Sequence, residues 1–234
     1  MNTATIVAKE VQHRGQAYTI RSATPNDIPF LAWMQYEASL PPSNYSFWDY
    51  PLMGLGIETR AFIETVMRLE AGSWGSVDEF LILAQDGQPL AAAAGVEATP
   101  AFSEGPVKVS EIDRIGQALG WSTETTATYR ERYVSAWPNP EGNFILLPQA
   151  PYIIESVAVV PEARGKGLVH PLMEAVLEEG RRRGHQRVGI TVANGNVPAQ
   201  RVYEQMGFQM FVSFGPGFFG EEGFLGYTKY VKAL

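Results

Sequence analysis

The chain has 234 residues, a formal net charge of −7, no cysteine and three histidines. The charge argues against nucleic acid as a main partner, and the lack of cysteine removes disulfides, thiolate metal sites and a cysteine nucleophile. His13, His170 and His185 stand too far apart in sequence for metal-ligand spacing, so no metal is expected. The first residues lack a basic segment and an apolar core of signal-peptide length, and no apolar run could span a bilayer. The expectation is a cytoplasmic protein without membrane contact, a single domain over residues 1–234 that can bury a substantial core.

In chain order, residues 4–12 and 17–22 alternate like strands around Arg14-Gly15, so a hairpin is predicted, with residues 1–17 as an N-terminal strand extension. Thr24-Pro25-Asn26-Asp27 signals a helix start, followed by Ile28, Leu31, Ala32 and Tyr36 at helical spacing. Residues 41–56 form an aromatic loop carrying Tyr45, Phe47, Trp48 and Tyr50. A second helix is predicted over 59–71, with Phe62, Ile63 and Val66 on one side. Residues 80–84 and 90–96 read as strands joined at Asp86-Gly87, a tight hairpin turn. Residues 97–150 then form a long helical insertion, with helices over 110–120 and 123–136 ended by Gly120 and Pro138. It reads as a wall of a substrate pocket or as an element that makes a homodimer.

Residues 152–160 are β-branched with one carboxylate, Glu155, and stop at Pro161, which predicts a strand. Arg164-Gly165-Lys166-Gly167 leads into a helix that begins close to Gly167. Leu168, Val169, Leu172, Met173, Val176 and Leu177 make its apolar stripe, Arg181 to Arg183 its basic last turn, and Gly184 its C′ residue. The free N–H groups and positive dipole end at such a helix start attract phosphate oxygens. Residues 187–193 read as a strand parallel to the first, because a full helix crosses between them. A short helix over 198–206 follows, closed by Gly207. Strands over 209–214 and 227–232 flank the glycine- and aromatic-rich residues 215–220. The fold class is therefore α/β (α+β), a mixed central sheet with helices on both faces.

Val157-Ala158-Val159, Pro161, Arg164-Gly165-Lys166-Gly167, Asn196, Tyr203 and Gly207-Phe208, in that order and spacing, resemble the GNAT N-acetyltransferase superfamily. The resemblance implies a sheet whose parallel strand pair splays apart, with the helical insertion between the third and fourth core strands. It also implies acetyl-coenzyme A as acyl donor and a primary amine of a small molecule or peptide as acceptor. Backbone N–H groups from Arg164 through Gly165, Lys166, Gly167 and Leu168 to Val169 would receive the pyrophosphate, although the family usually carries Gly or Ala where Val169 stands. A main-chain N–H near Val157, Ala158 or Val159 would polarise the thioester, and Asn196 would contact the cofactor while capping its helix. Tyr203 would protonate the leaving thiolate; as plain sequence it is equally an aromatic core residue. By two-residue alternation Glu155 shares a face with Val157 and Val159. An ionisable side chain on this strand is the base in several branches of the family. Other branches place a glutamate where Thr191 stands. Glu155 is also readable as a carboxylate held by a neighbouring base or hydroxyl.

Tyr45, Phe47, Trp48 and Tyr50 are candidates for acceptor contact or, equally, rings that bury a long loop. No Gly-x-Ser-x-Gly elbow exists, so a covalent route has no evident nucleophile. Gly165-Lys166 is followed by Gly167 rather than Ser or Thr, which disfavours a nucleotide-binding P-loop. A module that binds an acyl-coenzyme A without turnover is the alternative.

Overall fold

The computed structural model describes residues 8–137, 146–215 and 225–234. Eight strands form one sheet in the order β1-β2-β3-β4-β5-β6-β8-β7. β1 (Lys9–His13) and β2 (Gln16–Ser22) are joined through Arg14 and Gly15, both at positive φ, the geometry a tight hairpin turn requires. The same chemistry at Asp86 and Gly87 joins β3 (Phe80–Gln85) to β4 (Gln88–Glu97). β5 (Tyr152–Val159) follows the insertion and pairs antiparallel with β4 and parallel with β6 (Arg187–Ala193). β7 (Gln209–Phe214) and β8 (Tyr227–Ala233) close the sheet, β8 lying between β6 and β7. The start of the first predicted strand, the Pro138 stop and most of the 215–220 loop lie outside the described residues.

The helices divide between the faces. α1 (Ile28–Ser39), the short α2 (Asp49–Leu52) and α3 (Thr59–Arg68) cover one face with the insertion helices α4 (Ile112–Ala118) and α5 (Thr123–Ala136). α6 (Val169–Arg182) and α7 (Val197–Gln205) cover the other. α1 starts four residues after Thr24 because Pro25–Asp27 first makes a 3₁₀ turn, closed by the reciprocal Thr24–Asp27 capping bonds. α3 stops at Arg68, short of the expected residue 71, and Glu70 takes a positive φ just beyond it. Apolar side chains of the insertion (Phe102, Val107, Ile112, Ile115, Tyr129, Tyr133) share one buried cluster with Leu31, Phe62 and Ile82. That packing ties the insertion to the sheet.

Two glycines set how closely α6 approaches the sheet. A Cβ on Gly95 of β4 would lie 1.9 Å from the Tyr152 hydroxyl, and one on Gly180 of α6 would lie 2.8 Å from its ring. Tyr152 is buried, and its ring stacks on His185 at 4.9 Å, so it has little room to move. Gly95→Ala is therefore expected to destabilise by about 1–3 kcal/mol, the usual cost of overpacking, measured by urea unfolding; an unchanged midpoint would mean that Tyr152 relocates freely.

One departure from regular alternation matters for the site. Ala92 pairs with Ala158 and Ala94 with Glu155, so β5 carries one residue more than β4 between these pairs. The extra residue is absorbed at Ser156, which has φ +54° in the middle of a strand. Ile154, Val157 and Val159 thus face α6, while Ile153 and Ala158 face α1. Glu155, opposite Ala94, lies on the α1 side. The alternation argument that placed Glu155 with Val157 and Val159 is corrected by this bulge.

Candidate active site

β5 and β6 pair only from Tyr152 to Ile154 and from Val188 to Ile190. Beyond that point the strands separate, and the gap opens into a cavity of about 170 Å³ lined by Glu155, Ser156 and Val157 on one side and Ile190 to Ala193 on the other. β8, antiparallel to β6, sets Lys229 opposite Thr191 and adds it to the floor. α7 adds Tyr203, whose buried ring rests against Phe208 and Tyr230. The two side chains predicted for proton transfer, Glu155 and Tyr203, therefore reach one cavity. Lys229, which sequence reasoning missed, joins them. A lysine mid-strand was the only signal, and Lys232 in the same strand carries the identical signal while turning to the Met206 carbonyl instead.

Burial governs the electrostatics. Desolvation pushes the Glu155 carboxyl up to about 8, partly offset by Lys229. Desolvation also pulls the Lys229 ammonium down to about 8, partly offset by Glu155. The Tyr203 hydroxyl is raised by burial and then by Glu155, so it holds its proton at neutral pH. Lys229 also donates to the Leu147 carbonyl, and Gln149 donates at 3.4 Å to Thr191 Oγ1. A carboxylate, an ammonium and a phenol, all drawn toward the neutral range or kept protonated, are suited to moving protons.

The wall opposite the split strands is aromatic. Phe47 and Trp48 come from the loop after α1, Trp74 from the segment after α3, and Phe102 and Trp137 from the insertion. Phe47 meets Trp74 and Trp137 edge-on at 5.8 and 5.3 Å, and Trp74 meets Trp137 edge-on at 5.2 Å. Tyr45 and Tyr50, grouped with Phe47 and Trp48 on sequence grounds, are 49% and 39% exposed and lie outside the cavity lining. Adjacent loop residues point in different directions, which composition does not reveal. Trp74, Phe102 and Trp137 were missed because they join the wall from three separate segments.

At the C-terminal end of β5 the loop carries Gly165 and Gly167 at φ +75° and +78°. Among the described residues the N–H groups of Gly165, Lys166, Gly167, Leu168 and Val169 meet no hydrogen-bond acceptor. A Cβ at Gly165 would meet nothing within 4 Å, so its backbone is open to approach. These groups fit a pyrophosphate. Arg164 differs from expectation. Its N–H donates to the Pro161 carbonyl at 3.2 Å, and its guanidinium binds Glu37 at 2.9 Å and the Val159 carbonyl at 3.0 Å. Arg164 thus fastens the loop to α1 rather than adding a free donor. The Val169 side chain is partly buried and packs against the core on the α6 face. His13 of the β1–β2 hairpin meets the Lys166 carbonyl at 3.0 Å and braces the loop from outside. Asn196 caps α7, accepting from the Ala199 N–H at 3.3 Å, and also lines the cavity.

Residues 132–208 match the sequence model of the acetyltransferase (GNAT) family. No curated protein matches the chain significantly by sequence. The fold matches that of a solved acetyltransferase at 18% identity and TM-score 0.60, covering 92% of this chain and 98% of that one. It also matches yncA from Salmonella typhimurium, described with its cofactor acetyl-CoA, at 15% identity and TM-score 0.53, covering 93% and 94%. A Drosophila melanogaster polyamine N-acetyltransferase that forms N-acetylagmatine matches at 14% identity and TM-score 0.52, covering 93% and 100%. The chain has the GNAT fold, and the segment that carries the sequence resemblance is the segment the family model matches.

Proposed function

We propose that this protein is an N-acetyltransferase that moves an acetyl group from acetyl-coenzyme A to a primary amine in a ternary complex. The observation that carries the proposal is the convergence of Glu155 and Tyr203 on one cavity at the point where β5 and β6 part. In the reaction a C–N bond forms, a C–S bond breaks, two protons leave the ammonium nitrogen, one before attack and one as the amide forms, and one proton reaches the thiolate. Glu155 takes the first proton; Tyr203 gives its own to the thiolate and is reprotonated by the second, so one proton is released net. An amine of pKa about 10.4 costs roughly 4.6 kcal/mol to neutralise at pH 7, so a base of raised pKa next to it has a large task. The open N–H groups of residues 165–169 would hold the pyrophosphate, and the unpaired edge of β5 beyond Ile154 the acyl arm. Acetyl-coenzyme A, when bound, supplies the activated acyl group. The proposal places the protein in the cytoplasm, where this donor is made and consumed.

Thiol release across a panel of amines tests the reading, with donor affinity measured separately by calorimetry. Tyr203→Phe is expected to lower kcat about a hundredfold while leaving donor affinity within about threefold, because a thiolate of pKa about 8.5 leaves fairly well unaided. Donor binding without thiol release from any amine would instead identify a ligand-binding module. Val169→Ala tests the loop: packed against the core, Val169 is expected to change donor affinity by less than about threefold, and a larger gain would show that its side chain crowds the phosphate.

A further inference from the structure

The cavity's own chemistry narrows the acceptor, on the premise of the acetyltransferase reading. We infer that the acceptor is a zwitterion: a primary amine carrying a carboxylate a few bonds away and a bulky apolar or aromatic body, as in an aromatic α-amino acid. Two observations converge.

First, the ring wall of Phe47, Trp48, Trp74, Phe102 and Trp137 offers a large apolar surface. A flat or bulky apolar group gains free energy there by burial. Second, among the described residues the acidic and basic side chains lining the cavity are Glu155 and Lys229, one of each sign. A polycation would bring two or more ammonium groups to a single carboxylate, with the buried Lys229 repelling the second; like charges brought together out of water are costly. A zwitterion matches the pair, its ammonium toward Glu155 and its carboxylate toward Lys229.

The test is direct binding, followed by turnover. Phenylalanine and tryptophan, their decarboxylated counterparts phenethylamine and tryptamine, and the polycations agmatine and spermidine are titrated into the full chain. Calorimetry and intrinsic fluorescence report binding, the latter because Trp48, Trp74 and Trp137 line the cavity. Thiol release from acetyl-coenzyme A is then measured with the same panel. The amino acids are expected to bind at least about tenfold more tightly than the decarboxylated amines, as a charged hydrogen bond warrants. Lys229→Met should narrow that ratio to within about threefold. Lys229→Gln, which keeps a polar side chain but removes the charge, should narrow it as well and covers the case in which the methionine variant does not fold. Tighter binding or faster turnover of a polycation or a decarboxylated amine overturns the inference and leaves the acetyltransferase reading standing. Amino-acid binding with no thiol release from any amine overturns the enzyme reading and with it the acceptor role, leaving only an amino-acid-binding cavity. No binding by any panel member overturns the inference.

Discussion

Replacing Glu155 with Gln is expected to lower kcat/KM for the acceptor amine by about 10²–10⁴ and to flatten its dependence on pH. The carboxyl sits where β5 has left β6, on the α1 side of the bulge at Ser156, and desolvation holds it up to about 8. A base must be ionised to accept a proton. In the native enzyme, with the ammonium form of the amine bound, kcat/KM should therefore climb about tenfold per pH unit below 8 and level off above it. Glutamine keeps the size of the side chain and removes the titration, so the slope disappears together with the rate. Donor affinity should stay within a few-fold, since the pyrophosphate loop is a separate segment. A rate profile that keeps its slope in Glu155→Gln would assign the proton to another group, with Lys229, also near 8, the first to examine.

Part of the candidate site's geometry was legible in the sequence, for identifiable reasons. The turn at residues 164–167 and the capping of α7 by Asn196 follow local rules, glycines at positive φ and a capping asparagine, whereas Tyr203 was singled out by the resemblance alone. Local rules survive folding because they involve neighbours a few residues apart. The turns at Arg14-Gly15 and Asp86-Gly87 and the boundaries of β6 and β7 followed for the same reason.

What sequence reading missed depends on long-range register. Ser156 looks like any strand residue, and only its pairing against Ala92 and Ala94 shows that an extra residue is inserted there. Lys229 enters the site because β8 lies beside β6 rather than beyond β7, a crossover that nothing local specifies. The aromatic wall is drawn from the loop after α1, the segment after α3 and the insertion, whose hydrophobic faces pair only once the whole α1-side layer packs. Arg164 shows the converse. Its position beside the glycines suggested a phosphate contact, but Glu37 of α1 lies within reach and takes the guanidinium.

Holding Glu155 and Lys229 at one desolvated cavity also carries a cost in stability, and removing both charges should show it. The double variant Glu155→Gln/Lys229→Met is expected to be more stable than the native protein near pH 8, because two groups whose charged forms burial disfavours give way to neutral ones. The sign follows from linkage. Glu155 is raised on folding from about 4.5 to about 8, so its contribution to stability is full below about 4.5 and falls as pH rises through 8. Lys229 is lowered on folding from about 10.5 to about 8, so its contribution is full above about 10.5 and falls as pH drops through 8. The two penalties overlap between these limits and are greatest near 8, where the native and double-variant stabilities should differ most; the difference should narrow toward pH 4, where only the Lys229 penalty remains, and toward pH 11, where only the Glu155 penalty remains. Urea midpoints taken across pH measure this. A constant difference would show that packing rather than charge separates the two proteins. Lys229→Met alone should instead push Glu155 higher, because the one attraction that offsets its burial is gone, and should move the rise in kcat/KM to higher pH. Stability and proton transfer thus oppose each other at this pair: the burial that brings both groups near neutrality for chemistry is the burial that disfavours their charged forms in the folded protein.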